Sequence, residues 1–184
     1  MVTEEFKKIA VSFAGGDGGN PKSEVWFCGL EWGIGDDASP DDFYEKFSLS
    51  PKLIPHSWIE DDFDGSWTTQ YNRKICWFLW YYYNLDWKNG ESAEHFVKKY
   101  DVLYPQGIGF KLNMLPINFK NRSSIKWNEQ FIKMTGFETF NEYREWCVEN
   151  RGAFYRQLID ECHPKVIICT GRSEERRVGK ECAS

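Results

Sequence analysis

The segment KVIICTG, residues 165–171, constrains the fold most, because it is a short extended run with an apolar core. A strand with this pattern is typical of a parallel sheet that is covered on both faces. It follows the longest helical stretch of the chain, residues 137–163, in which Gly152 predicts a break and Pro164 predicts the end. The two segments together predict a helix that leads into a buried parallel strand.

Two more strands and another helix are predicted upstream. SEVWFCGL, residues 23–30, reads as a buried strand that ends at Gly29, and residues 107–119 read as a second strand that Pro116 cuts off. Residues 66–83 predict a helix with Ser66 as its N-cap, and its nearly all-apolar second half predicts burial. The glycine-rich loop at 14–23 lacks a following Lys-Ser/Thr pair, which favours a structural turn over a phosphate cradle.

The order strand, helix, strand, helix, strand predicts an α/β fold. With right-handed crossovers it gives a three-layer α/β/α sandwich around a short, mostly parallel central sheet. Ligands of such sheets bind beyond the carboxyl ends of the strands. Three of the predicted strands end in polar or glycine-rich sequence, and Glu31 and Asn113 are therefore expected on the same rim.

Composition limits the kinds of partner. The 184 residues carry a formal net charge of −5, which argues against a strongly basic protein that coats nucleic acid but leaves room for a local positive groove. Aromatic residues make up 17% of the chain, enough to line a base-sized pocket as well as a core. No run approaches 18 apolar residues and no signal-peptide pattern opens the chain, so we expect a cytoplasmic protein without a membrane partner.

The C-terminal segment RSEERRVGKEC, residues 172–182, has no apolar period. It resembles the conceptual translation of a sequencing adapter, and a solvated charged tail is the alternative. We expect residues 1–171 to form one domain that is incomplete at its C-terminus, with its last strand missing. Residues 172–184 are expected to be a non-native tail without a fold, and the natural protein is expected to continue past Gly171.

The five cysteines that precede the C-terminal segment are predicted to be buried free thiols, because the sequence has no CxxC and no Cys/His pair at zinc spacing. An iron–sulfur site built from Cys147, Cys162 and others is the weaker alternative. We therefore predict no metal and no cofactor. The cysteines concerned are Cys28, Cys76, Cys147, Cys162 and Cys169.

Several motifs taken together resemble the uracil-DNA glycosylase superfamily. FCGLEWG is similar to its first active-site motif, and LNMLPI to the strand whose asparagine reads the flipped base. YNRKICWFL and HPKVIICTG are similar to a helix and to the third core strand of the same superfamily. The resemblance runs over residues 25–171 and implies a DNA glycosylase-like hydrolase of DNA repair that acts by base flipping.

The resemblance assigns roles to individual residues. Glu31 stands where the superfamily has the Asn or Asp that handles the attacking water, and Asn113 stands at the base-reading position. Gly29, Leu30, Trp32 and Gly33 would line the substrate site. Phe43 and Trp67 are, with Trp32, the rings that could stack on the base. The weaker DNA contacts implied are Lys120, Arg122 and Lys126.

Each role has a structural alternative. Glu31 could cap a following helix, Asn113 could satisfy backbone groups, Trp32 could pack, and the basic residues could lie in a solvated loop. The chain also departs from the motif, with Glu and Trp in place of Asn/Asp and Pro. The second catalytic motif of the superfamily is absent from the chain, and we expect the chain as given to be inactive.

Three functions follow, and the sequence leaves them open. The first is a monomeric DNA glycosylase-like protein. The second is a non-catalytic nucleotide-, DNA- or protein-binding module on the same fold. The third is a hydrolase that uses Glu31 on an unrelated α/β sheet.

Overall fold

A computed structural model describes residues 1–16, 18–30, 70–88, 91–117 and 127–170. Over these ranges the protein is a mixed α/β structure with a small four-stranded sheet, as its alternating pattern predicts. In chain order the elements are α1 (Glu4–Ala10), β1 (Gly18–Gly19), β2 (Val25–Gly29), α2 (Gln70–Tyr82), α3 (Ala93–Tyr100), β3 (Phe110–Asn113), α4 (Glu129–Thr135), α5 (Phe140–Cys162) and β4 (Val166–Cys169).

The sheet has the strand order β1-β3-β2-β4. Strand β2 is parallel to both β3 and β4, and β1 is antiparallel to β3. Strand β1 was not expected from the sequence, because it consists of two glycines of the predicted loop. Gly19 has φ +94°, and a Cβ there would lie 2.6 Å from the carbonyl oxygen of Gly109, so the close approach of the two segments accounts for the glycine.

Alternate side chains of β2 pack in two directions, since successive residues of a strand point to opposite faces. Val25 and Phe27 belong to a cluster with residues of α2 and α3. Trp26 and Cys28 belong to a second cluster that includes Tyr155 of α5. Each fully buried large apolar side chain in these clusters contributes about 1.5–3 kcal/mol relative to exposure.

Helix α5 lies within the predicted stretch 137–163 and is more regular than predicted. It starts with a capping box formed by Thr139 and Glu142, ends at Cys162 with His163 as its C-cap, and runs without interruption through Gly152. The expected break at Gly152 is therefore wrong. A glycine inside a helix costs only about 1 kcal/mol, which the packing of the adjoining buried residues outweighs.

The prediction that the last strand is covered on both faces is also wrong. Strand β4 is parallel to β2, but its side chains alternate between half-buried and exposed, and Ile167 is 37% exposed. Among the described residues β4 pairs with β2 alone, so it forms an edge of the sheet. Cys28, Cys76 and Cys147 are buried as predicted, whereas Cys162 is half-buried and Cys169 is exposed at this edge.

Helix α2 is buried on one side only. Ile75 and Leu79 are buried against the sheet and α3, but three rings in the second half of the helix are exposed. These rings are Trp77, Trp80 and Tyr81. The expectation of burial all round is wrong, because the sheet and α3 cover only one face of the helix. The proposed N-cap Ser66 lies outside the described residues, and β3 is shorter than the strand expected at 107–119.

A buried arginine on α5 joins three parts of the fold. Arg151 is fully buried, and its guanidinium donates to four carbonyl oxygens. It bonds Asn113 at 2.8 Å, Ala10 at 2.7 Å, Ser12 at 3.0 Å and Ala14 at 2.5 Å. The helix thereby holds both the end of β3 and the segment after α1.

We predict that Arg151→Met destabilises the protein by about 3 kcal/mol or more, because several buried carbonyls then lose their donors. Arg151→Lys should destabilise the protein less than Arg151→Met does, because the three donors of its single nitrogen can reach some but not all of the four carbonyl oxygens. Urea unfolding followed by fluorescence measures both. The control is Arg156→Met, an exposed arginine on the same helix, with an expected change within about 0.5 kcal/mol. Equal stability of the two methionine variants would contradict this role.

We also predict a loss of stability at alkaline pH. Burial raises the pKa of Cys76 and of Cys147 to about 12, whereas an unfolded thiol titrates near about 8.5. Between these values the unfolded chain releases protons that the folded chain keeps, so the free energy of unfolding falls as pH rises. The fall is at most about 1.4 kcal/mol per pH unit for each thiol.

Urea unfolding at a series of alkaline pH values tests this. Cys147→Ala should make the dependence shallower by one thiol's share, while Val148→Ala, at an exposed neighbour without a titrating group, should leave it unchanged. An unchanged pH dependence in Cys147→Ala would show that the thiol does not titrate as stated.

Candidate functional site

The candidate site lies at the carboxyl ends of the parallel strands. Gly29, the last residue of β2, is the register partner of Asn113, the last residue of β3. The pairing continues past both strands, where Leu115 N–H donates to the carbonyl of Leu30 at 2.7 Å. Thr170 follows β4 at the same edge, and its N–H donates to the carbonyl of Cys28 at 2.9 Å. Such an edge is where open α/β sheets bind their ligands.

Asn113 carries the most informative side chain in the described structure. It is only 1% exposed, and neither its Oδ1 nor its Nδ2 has a hydrogen-bond partner in the described part of the chain. Leaving a buried amide unpaired costs about 1–3 kcal/mol, and native structures rarely tolerate it without a reason. An amide offers one acceptor and two donors, the pattern that pairs with the edge of a nucleobase.

Gly29 makes room for this amide. A Cβ on residue 29 would overlap Oδ1 of Asn113, so any larger residue would push the amide from its position. The glycine at the end of β2 and the asparagine at the end of β3 therefore form one structural unit. Its two members come from separate motifs of the sequence, FCGLEWG and LNMLPI.

Three further polar residues lie on the same side of the sheet. Lys111 is two residues before Asn113 and is 4% exposed, with its Nζ 4.7 Å from the centre of the Tyr71 ring. The hydroxyl of Thr170 donates to the hydroxyl oxygen of Tyr71 at 3.0 Å. Residues two apart in a strand share a face, so an amide, an ammonium group and two hydroxyls adjoin the α2 side of this edge.

Helix α5 fixes the backbone beneath the amide. Arg151 donates from Nε to the carbonyl of Asn113 at 2.8 Å, and the hydroxyl of Tyr155, one turn later, donates to the carbonyl of Leu112. Burial raises the pKa of Tyr155 well above its usual range, so this hydroxyl keeps its proton and stays a donor. On the same helix, the hydroxyl of Tyr143 accepts from the N–H of Ile117 at 3.2 Å. The segment that carries Asn113 is thus held from one helix at three points.

The structure covers part of the predicted site. It brings Gly29, Leu30 and Asn113 together, with Leu30 packed against the cluster of α1, α4 and α5. The other predicted residues lie outside the described residues, as does the tail at 172–184. They are Glu31, Trp32, Gly33, Phe43, Trp67, Lys120, Arg122 and Lys126. All the assigned roles stay predictions.

Sequence reasoning missed Lys111, Tyr71, Thr170 and Arg151 as contributors to the site. A signal for Lys111 exists, because FKLN alternates apolar and polar residues and places Lys111 beside Asn113. A signal for Arg151 exists as well, since it falls four residues from both Cys147 and Tyr155 on an otherwise apolar face. The contacts of Tyr71 and Thr170 depend on how α2 packs on the sheet and have no local signal.

A second concave surface lies elsewhere, at the start of α5. It has a volume of about 530 Å³ and is lined by the N-terminal residues, Phe137, Trp146 and four glutamates. Its glutamates are Glu138, Glu142, Glu145 and Glu149, and they oppose binding of a phosphate chain. In the described ranges, no group of three or more His, Cys, Asp or Glu side chains is arranged to hold a metal ion, and no helix has the length and apolarity needed to cross a membrane.

Comparison with known proteins adds no relative: no family model matches the chain, and no curated protein or solved structure matches it.

We predict that Gly29→Ala destabilises the protein by about 1–3 kcal/mol, because its methyl group collides with the Asn113 amide. In an Asn113→Ala background the collision is gone, and the same substitution should cost at least about 1 kcal/mol less. Urea unfolding of the four proteins measures this coupling.

Gly152→Ala is the matched control. It lies within α5, and the nearest neighbour of its new methyl group would be the end of the Arg156 side chain at 3.7 Å. It should stabilise the protein by about 0.5–1 kcal/mol, equally with and without Asn113. Additive effects of Gly29→Ala and Asn113→Ala would refute the contact.

Proposed function

We propose that the protein recognises a damaged or modified base extruded from DNA and hydrolyses its N-glycosidic bond. In this proposal Asn113 reads the base and Glu31 orients the attacking water. The single observation that carries it is the buried amide of Asn113, which lacks a partner at the ligand-binding edge of a parallel sheet. A base with adjacent donor and acceptor groups would supply the missing bonds.

The fold supports the proposal in a coarse way. Residues of β2 pack against α2 and α3 in one direction and against α5 in the other. This arrangement agrees with the three-layer α/β/α sandwich that the sequence motifs imply, which we propose for the whole domain. The register also agrees, because it sets the glycine of the first motif beside the asparagine of the second.

The chemistry proposed for Glu31 is hydrolysis at the sugar carbon. The oxygen of water bonds to C1′, the C–N bond breaks, and its electron pair leaves with the base. One water proton passes to the Glu31 carboxylate and from there to solvent, and the departing base takes up one proton from solvent. A carboxylate below the sugar also stabilises the positive charge that develops there. The products are a free base and an abasic sugar.

A non-catalytic binding module on the same fold is the second candidate. The net charge of −5 and the Glu-Trp pair in the first motif favour it. In that case Asn113 still binds a base or nucleotide, and no bond is broken.

We predict that Asn113→Leu removes the preference for DNA that carries uracil or a modified base over undamaged DNA of the same sequence. The leucine has the same branched arrangement of heavy atoms but no donor or acceptor, and it removes the unpaired amide. Because its methyl groups are bulkier than the amide and lie against Gly29, urea unfolding first checks that the variant is folded. Fluorescence anisotropy with labelled oligonucleotides measures affinity for the 184-residue chain. Asn150→Leu, on α5, is the control and should keep the preference.

Glu31→Gln separates the two candidates. Where the parent protein yields abasic product, the glycosylase predicts normal binding by this variant and a loss of abasic product of at least about a hundredfold. Binding without any abasic product from the parent would support the binding module instead. Unaltered base preference in a folded Asn113→Leu variant would refute both.

A further inference from the structure

We propose that the outward face of α2 binds an unpaired nucleic-acid strand by stacking its bases on exposed aromatic rings. We call this face the α2 stripe and define it as Arg73, Lys74, Trp77, Trp80 and Tyr81. The proposal adds a location for the strand to the function proposed above and rests on that function only for its biological role. Binding of the strand itself can be measured separately.

The exposed rings are the first observation. Trp77 is 50%, Trp80 39% and Tyr81 80% exposed, and Trp80 and Tyr81 follow Trp77 by three and four residues on one helix. Side chains at this spacing are neighbours on a helix surface. Trp80 is held against Trp87 in an edge-on contact with ring centres 6.5 Å apart, so it is supported from behind while part of it faces solvent.

Charge selects the occupant. Helix α2 contains no acidic residue, although the whole chain carries a net charge of −5. Its exposed cations are Arg73 and Lys74, and the Arg73 guanidinium lies 5.6 Å from the centre of the Trp77 ring. Aromatic rings next to cations, on a helix without carboxylates, suit a chain of bases and phosphates.

The α2 stripe is continuous with the candidate site. Steps of three or four residues lead from Tyr71, which contacts Lys111 and Thr170, to Lys74, then to Trp77 and Tyr81. At about 1.5 Å per residue, Trp77 and Tyr81 lie about 9 and about 15 Å along the axis from Tyr71. At about 3.4 Å per nucleotide, the span from Tyr71 to these two rings corresponds to about three to four stacked nucleotides. A strand whose base is bound at Asn113 would therefore have its neighbouring bases beside these rings.

The test uses anisotropy with the 184-residue chain at low salt and a fluorescent single-stranded DNA of about 12 nucleotides, long enough to span the three to four nucleotides estimated above. Trp77→Ala and Tyr81→Ala should each weaken binding by about 5- to 100-fold, and Trp77→Phe should keep most of the affinity. The combined Arg73→Gln and Lys74→Gln variant should lower the slope of log K against log salt by about 1.4.

Two controls lie on other helices. Val148→Ala alters an exposed apolar residue of α5, and Lys98→Gln alters an exposed lysine of α3. Neither should change affinity for a single strand by more than about twofold. The 184-residue chain should also bind the single strand more tightly than a duplex of the same sequence.

Unchanged affinity after Trp77→Ala and Tyr81→Ala would overturn the proposal, as would a dissociation constant weaker than about 100 μM at low salt. A change in sedimentation without a change in oligonucleotide affinity would overturn it in favour of contact between two copies of the chain. Loss of strand binding in the stripe variants, together with unaltered base preference in Asn113→Leu, would uphold this inference and refute the proposed function. Loss of base preference in Asn113→Leu, together with unaffected strand binding in the stripe variants, would do the reverse.

Discussion

The guanidinium of Arg151 is the interaction on which the site depends, because it joins α5 to two segments that are far apart in sequence. It is fully buried and bonds the carbonyls of Ala10, Ser12 and Ala14 as well as that of Asn113. Burial lowers the pKa of Arg151, yet an arginine stays charged in proteins, and charge-assisted bonds to dipoles offset part of its desolvation. The remaining desolvation cost arises where Arg151 fixes the backbone of Asn113 and leaves the Asn113 side chain unpaired.

That contrast between a fully bonded backbone and an unbonded side chain is the basis of the functional proposal. A structural asparagine would be expected to bond neighbouring backbone groups, which was the alternative interpretation of its sequence position. Instead its carbonyl is bound by Arg151 while both polar atoms of its amide are free of partners in the described structure. Binding sites are preorganised in this way when a rigid backbone presents unsatisfied groups to a ligand.

The sequence predicted the parts of the fold that follow from local periodicity. Strand β2, the parallel β4 and the long helix α5 were found because apolar period, Gly29 and Pro164 are local signals. Burial was predicted less well, since it depends on which elements pack together. The aromatic second half of α2 was predicted to be buried, but only one of its faces meets the sheet. Strand β4 was also predicted to be buried, but it lies at an edge of the sheet. The rim shared by Gly29 and Asn113 was predictable from topology, whereas the contacts of Arg151 and Tyr71 were not.

The most direct test observes the side-chain amide of Asn113 itself. In a ¹⁵N–¹H NMR titration with uracil, we predict that its two amide protons begin at the shifts of an unbonded amide and move downfield as the ligand binds. N3-methyluracil lacks the N3–H that would donate to Oδ1 of Asn113 and carries a methyl group in its place. It should therefore bind weakly and move the two amide protons little. If both protons stay fixed at saturating uracil, or are already hydrogen-bonded in the free protein, the amide is not kept for a base and the account is wrong.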